Sequence, residues 1–334
     1  MAHQHFEQDI RLSGVHVLIQ RAPAPFLNFA TLAIALFLLV PALHSQSSST
    51  LGARALAMSV SDTGRLKVRV DVHLTLVPVV VTDSSDHPVT GLSGESFRLF
   101  EDNVEQKVET FSKEEGPVSV VIVFDASGSM KEKLEPSLAA IKLLTDTAVQ
   151  GDELSLVRFS TKPELVSSFV SQPDEIFQKL RFLEPKGWTA MRDAIFMGAR
   201  EMRLAKNPSH VLLILSDGAD NNSRRSESAI RNTVLESDLR VFSIGLQNHS
   251  RFLDKLAAAT GGEAVVVQDI NELPQAVAKI SRIFRTQYVL GYSSNNPVND
   301  GRYRKIRVQV TPPSPRQPLV VRSRPGYYSD SSPN

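Results

Sequence analysis

The chain has 334 residues, 42% hydrophobic and 22% charged, a globular composition that at about 150 residues per domain gives room for two domains. Wholly disordered, collagen-like and coiled-coil classes are excluded. With 37 Lys+Arg against 36 Asp+Glu there is no basic excess to drive general nucleic-acid binding, and the lack of cysteine excludes disulfide frameworks, thiolate zinc, iron–sulfur clusters and thiol catalysis.

The most apolar stretch, Phe26 to Val40, is short for the ~20 residues of a membrane-spanning helix but suits the apolar core of a secretory signal. Ala42 and Ser45 offer small residues for cleavage. The leader is irregular, since a long segment precedes the stretch and Glu7 and Asp9 cancel Arg11 and Arg21. An uncleaved signal anchor is therefore the alternative, and a buried core helix the third. Residues 1–45 are assigned to a signal peptide or anchor and 46–64 to a flexible linker. Export to a periplasm, a cell envelope or the medium is expected, and an exported chain without cysteine fits a bacterial envelope. Four histidines (His3, His5, His16, His44) lie in this leader. The others, His73, His87, His210 and His249, lack His-x-x-x-His spacing, which argues against a histidine zinc site.

From Lys67 to Leu76 apolar and polar residues alternate with the period of a half-buried strand, and Val79 to Thr82 continues past Pro78 as a second extended piece. Asp86-His87-Pro88 is a turn signal, and Phe97 to Phe100 and Lys107 to Phe111 are further short strands. Residues 65–116 thus read as a small antiparallel β domain. At Pro117 the pattern changes. Val118 to Phe124 is nearly all apolar, as in a strand covered on both faces, and similar runs recur at 154–159, 210–215, 240–246 and 264–267. Helical segments alternate with them at 135–149, 173–183, 190–205, 227–237, 250–260 and 271–285. This alternation predicts an α/β fold with a doubly wound, mostly parallel sheet over 117–286, whose ligands bind beyond the carboxyl ends of the strands. Residues 287–328 return to β pattern with strands at 288–292, 303–310 and 319–323, too few to stand alone and expected to dock on 65–116, and 329–334 form a tail.

The chemistry-bearing motif, Asp125-Ala126-Ser127-Gly128-Ser129, follows the first buried strand directly. One carboxylate and two hydroxyls around a glycine turn form an oxygen-only set of the kind hard cations such as Mg²⁺ take. Two more loops at strand ends carry matching groups: Gly187-Trp188-Thr189 and Ser216-Asp217-Gly218. Asp125 and Ser127 also fit a helix cap near Met130 or a closed turn. Asp193 reads as a helix-start charge or buried hydrogen-bonding group, and Trp188 as half-buried packing or a rim contact. Arg224-Arg225 and Arg302 to Lys305 read as solvated charge.

On these residues, 117–286 resembles a von Willebrand factor type A domain, and Asp125-x-Ser127-x-Ser129, Thr189 and Asp217 match its metal-ion-dependent adhesion site. Val89-Thr90-Gly91-Leu92, Phe97-x-Leu99-x-Glu101-Asp102 and Gln287 to Tyr292 extend the resemblance to exported, Acidobacteria-type bacterial proteins that carry this domain, over about residues 65–328. Trp188 departs from it, standing where the family commonly has a second glycine. The resemblance implies Mg²⁺ (or Mn²⁺) at Asp125, Ser127, Ser129, Thr189 and Asp217, with Trp188 at a partner-binding rim. It further implies a protein ligand donating a Glu or Asp carboxylate to the open coordination position, without catalysis, nucleic acid or a small-molecule cofactor. The alternatives are an envelope scaffold with a structural or degenerate site and, further off, a metal-dependent hydrolase. A haloacid-dehalogenase-like phosphatase needs an Asp where Ser127 stands, and no Gly-x-Ser-x-Gly elbow, Gly-x-x-x-x-Gly-Lys loop or Gly-x-Gly-x-x-Gly fingerprint is present.

Overall fold

The computed structural model describes residues 74–329 apart from 219, 297, 299 and 315–317. The leader with its Phe26 to Val40 stretch, the linker, the beginning of the Lys67 to Leu76 run and the end of the tail lie outside the described residues.

The first strands are β1 (Leu74–Asp83), β2 (Phe97–Glu101), β3 (Val104–Gln106) and β4 (Thr110–Glu115). β1 is one strand where the sequence reads as two pieces. Its partner on one side begins only at Val79, so at Pro78 that side of the strand has no ladder to interrupt. Strand β3 went unread. Asp102 and Asn103, at φ 47° and 69°, form a two-residue turn of the twist that hairpins favour, which pairs Glu101 with Val104.

The α/β body follows, with β5 (Val118–Asp125), α1 (Leu134–Asp146), β6 (Glu153–Phe159), β7 (Pro163–Val170), α2 (Asp174–Leu180) and α3 (Met191–Glu201). It continues through β8 (Ser209–Ser216), α4 (Glu227–Glu236), β9 (Arg240–Leu246), α5 (Arg251–Thr260), β10 (Glu263–Val267) and α6 (Leu273–Arg285). The sheet order is β10-β9-β8-β5-β6-β7, parallel except for the edge strand β7. β7 has no sequence signature of a buried strand because only one of its eight residues is fully buried.

Every residue of β5 is buried, and its side chains divide by parity. Val118, Val120, Ile122 and Phe124 enter the core under α1, α2 and α6, while Val121 and Val123 enter the core under α3, α4 and α5. Burial of such a side chain stabilises by roughly 1.5–3 kcal/mol, so this strand anchors both layers. α3 lies close because Gly198 faces the sheet, where an added Cβ would sit 2.8 Å from Leu212. Ser226 and Ser250 start α4 and α5 by accepting from the amides of Ala229 and Leu253.

The last strands are β11 (Thr286–Ser293), β12 (Tyr303–Val310), β13 (Leu319–Ser323) and β14 (Gly326–Tyr328). They build two antiparallel sheets with the first four, ordered β13-β1-β11-β4 and β14-β12-β2-β3, around a core of Val77, Val79, Leu99, Tyr288, Leu290 and Tyr292. β4 and β11, the strands leading into and out of the α/β body, are paired neighbours, with Glu115 opposite Thr286. Among the described residues no helix is long and apolar enough to cross a membrane.

Candidate functional site

β5, β6, β8 and β9 end side by side, which sets Asp125, at the end of β5, next to the end of β8 at Ser216. Asp125 has no solvent exposure. Its Oδ1 accepts from the Ser127 amide at 2.8 Å and its Oδ2 from Ser216 Oγ at 2.5 Å. Burial pushes its carboxyl above the ordinary carboxylate range, against the bonds from Ser127 and Ser216, and the neighbouring Asp217 charge adds to the rise.

Asp125 and Ser127 do not cap α1. A short 3₁₀ turn, Gly128–Met130, intervenes, the Ser127 side chain makes no capping bond, and Lys133 holds the N-cap position. The Asp125–Ser127 bond closes the turn, and it also carries the chain on toward Ser129. Ser127 Oγ lies 3.2 Å from Ser129 Oγ, which donates to Asp217 Oδ1 at 2.7 Å. The first and third loops are thus joined through side chains.

The second loop is pinned by its backbone. The Gly128 amide donates to the Gly187 carbonyl at 3.1 Å and the Lys186 amide to the Ala126 carbonyl at 2.9 Å. Gly187 adopts φ 83°, and a Cβ there would fall 2.3 Å from Thr161 Oγ1, so only glycine fits this turn. Thr189 is buried, and its Oγ1 is the atom that a Cβ on Gly218 would approach, at 3.9 Å. The structure therefore gathers Asp125, Ser127, Ser129, Thr189 and Asp217 at one place. Trp188 stands beside them, 64% exposed, with its amide bonded to Thr161 Oγ1.

Several side chains that shape the site carried no sequence signal of their own. Asn221 Oδ1 accepts from the Thr189 amide, while the Thr189 carbonyl accepts from the amides of Asn221 and Asn222. Asn248 donates to the Asp217 carbonyl. Asp220 accepts from the Arg192 amide and guanidinium and from Ser223; burial would raise its pKa, but these bonds hold it below the ordinary range. Asp193 accepts from the amides of Arg224 and Arg225, so it fastens the third loop to the start of α3. Arg225 is not merely solvated charge, because it stacks 3.7 Å from the Phe196 ring centroid. Nor is Arg304, whose nearly buried side chain pairs with Asp300 at 3.0 Å.

Lys133 is the unexpected member. Its Nζ reaches Asp217 Oδ2 at 2.5 Å, with the lysine side chain 17% exposed and Asp217 only 1%. Two carboxylates, three hydroxyls and one ammonium thus share the carboxyl edge of the sheet. The five oxygen-bearing side chains fit a hard divalent ion chemically, since two buried anions close together gain from any cation placed between them. Among the described residues no group of three or more His, Cys, Asp or Glu side chains forms a metal cage, so any such ion would depend on the hydroxyls.

Residues 120–219 match the sequence model of the von Willebrand factor type A domain. Over that stretch the chain is similar to a type A domain. Type A domains mediate protein–protein interaction or adhesion. Among solved structures, the type A protein of Catenulispora acidiphila is 13% identical over 69% of this chain and 73% of its own, with a TM-score of 0.47. An aerotolerance-related membrane protein of Bacteroides fragilis is 17% identical over 49% of this chain and 98% of its own, at 0.42. The von Willebrand factor domain of a type V pili tip protein from Porphyromonas gingivalis is 15% identical over 50% and 94%, at 0.41. No curated protein matches the chain in sequence.

Proposed function

We propose that this protein is an exported, non-catalytic binding module whose type A domain takes an acidic residue of a partner protein through a divalent cation, Mg²⁺ or Mn²⁺. The observation that supports it best is the convergence of Asp125, Ser127, Ser129, Thr189 and Asp217 from three loops on the carboxyl edge of the sheet. Asp125 and Asp217 supply two charges to balance a divalent ion, and the hydroxyls add donors without charge. Bound there, the ion would offer an electrophilic position to an outside carboxylate. The chain's own residues do the rest. Ser216 orients Asp125, Asn221 and Asn248 fix the loops bearing Thr189 and Asp217, and Trp188 gives an incoming segment an exposed aromatic surface at the rim.

Calorimetric titration of Mg²⁺ and Mn²⁺ into the protein tests this reading. Binding by the wild type that is lost in Asp125→Ala is expected, and equal binding by both would end the assignment. Export rests on the Phe26 to Val40 stretch. Cell fractionation with amino-terminal sequencing should find the chain outside the cytoplasm, and a full-length cytoplasmic product would refute it. A second reading, an envelope scaffold whose site is degenerate, draws on the Lys133–Asp217 ion pair, which gives Asp217 a cation of the protein's own.

A further inference from the structure

That ion pair leads to an inference about the same site, and it rests on the metal-binding reading above. We propose that Lys133 is a tethered cation that competes with the divalent ion for Asp217, so that the ion enters only as the ammonium leaves.

Three observations carry the proposal. First, Asp217 has both carboxylate oxygens engaged, Oδ1 by the Ser129 hydroxyl and Oδ2 by Lys133 Nζ. A divalent ion using Oδ2 meets a positive charge already in hydrogen-bond contact with it. Second, the position of Lys133 is not explained by its helix. It stands at the N-cap of α1, where a side chain with no acceptor caps nothing and a positive charge opposes the helix dipole. Asp217, a residue 84 positions away, is what draws the ammonium inward. Third, the backbone of Lys133 is fixed independently of its ammonium head. Its amide donates to the Met130 carbonyl, and its own carbonyl accepts from both the amide and the hydroxyl of Ser137. Such a lysine can swing to solvent about its flexible stem without disturbing the loop.

Charge arithmetic sets the direction. Asp125 and Asp217 with Lys133 sum to one negative charge. Adding a divalent ion while the ammonium stays gives one positive charge in a poorly hydrated place, and releasing the ammonium gives none. Release is the lower-energy course, and its cost is subtracted from the affinity of the ion. The protein would therefore hold its divalent ion more weakly than the oxygen set alone implies.

The test is calorimetric titration of Mg²⁺ into the full chain as wild type, Lys133→Met and Lys133→Arg, at one ionic strength. Lys133→Met removes the charge and keeps much of the stem, and its affinity should rise about tenfold, because the ion no longer has to displace the ammonium from its charge-assisted hydrogen bond with Asp217. Lys133→Arg keeps a cation and should stay near the wild type. Lys133→Gln, uncharged but still able to donate to Asp217, replaces the Met variant if that protein does not fold, with the same tightening expected. Wild-type binding that is unchanged or weakened in the uncharged variants overturns the competition while leaving the metal site standing. If neither wild type nor uncharged variants bind, the metal-site reading itself fails and the inference with it.

Discussion

Two buried carboxylates, one in each region of the molecule, are satisfied in opposite ways. In the antiparallel β region Glu101, 3% exposed, accepts from the hydroxyls of Tyr292 at 2.5 Å, Tyr327 at 3.0 Å and Ser294 at 2.6 Å. Those donors come from β11, β14 and the chain just after β11, so the carboxylate joins the two sheets and is enclosed by them. Burial pushes the Tyr292 hydroxyl far above its ordinary range, with the Glu101 bond adding to the rise, which keeps it a donor at any physiological pH. In the α/β body Asp125 has, among the described residues, only Ser127 and Ser216 as donors, faces a second carboxylate, and lies at the carboxyl end of a sheet strand. The same physics, that a buried anion must be hydrogen-bonded or paired, gives a closed structural clasp in one place and an unfinished site in the other.

The contrast can be broken most sharply at Asp125. Asp125→Asn should weaken Mg²⁺ binding at least about 100-fold, beyond the effect of losing an outer support. In chelator the same variant should melt no lower than the wild type, since an ionised carboxylate whose pKa is raised by folding destabilises the folded state and the amide relieves that cost. A large drop in melting temperature without metal would show that Asp125 is a structural clasp like Glu101. Glu101→Ala should behave the other way. Removing the acceptor of the buried Tyr292 hydroxyl and of two half-buried ones should cost about 3 kcal/mol in urea unfolding, with Mg²⁺ affinity unchanged. Ser216→Ala comes next. Ser216 holds Asp125 without belonging to the proposed ligand set, and its loss should weaken Mg²⁺ binding by about 10- to 100-fold, read by the same titration.

The difference between the regions also explains what the sequence made legible. The doubly wound sheet could be read from runs such as Val118 to Phe124, because a strand covered on both faces must be apolar throughout. β7 escaped because an edge strand with solvent on one side has no such constraint, and β3 because three residues are too few for a period. At the site, the oxygen-bearing residues stood out because three loops at strand ends, bearing Asp125 to Ser129, Thr189 and Asp217, together match one family pattern. Lys133 did not, because a lysine at the start of a helix reads as solvated charge and only the fold shows its ammonium turned toward Asp217. Ser216 was legible only as a member of its loop, and its bond to Asp125, like that of Asn248 to Asp217, was hidden for the same reason: the partners are 91 and 31 residues away.

The smallest expected effect lies at the seam between the regions, where Asp86, after β1, bonds Lys279 of α6 at 2.7 Å and Arg322 of β13 at 3.2 Å. The bond from Lys279 holds its carboxyl below the ordinary range, against partial burial and with help from Arg322. In the unfolded chain that carboxyl takes up a proton as pH falls through its ordinary value, while in the folded chain it remains ionised. The unfolded state therefore binds more protons in that window, and stability contributed by Asp86 is present above the ordinary value and lost as pH falls through the lowered one. Asp86→Asn removes the contribution and keeps the backbone, since asparagine accepts the φ of 59° found there. Glu263 remains to pair with both Lys279 and Arg322, so the loss at neutral pH should be below about 1 kcal/mol. Urea midpoints measured from neutral pH down to about pH 3 should show the wild type and variant converging as the carboxyl is protonated. A gap that stayed constant over that range would mean that Asp86 acts through its shape and not its charge, and that the seam is held by packing of α6 against β1.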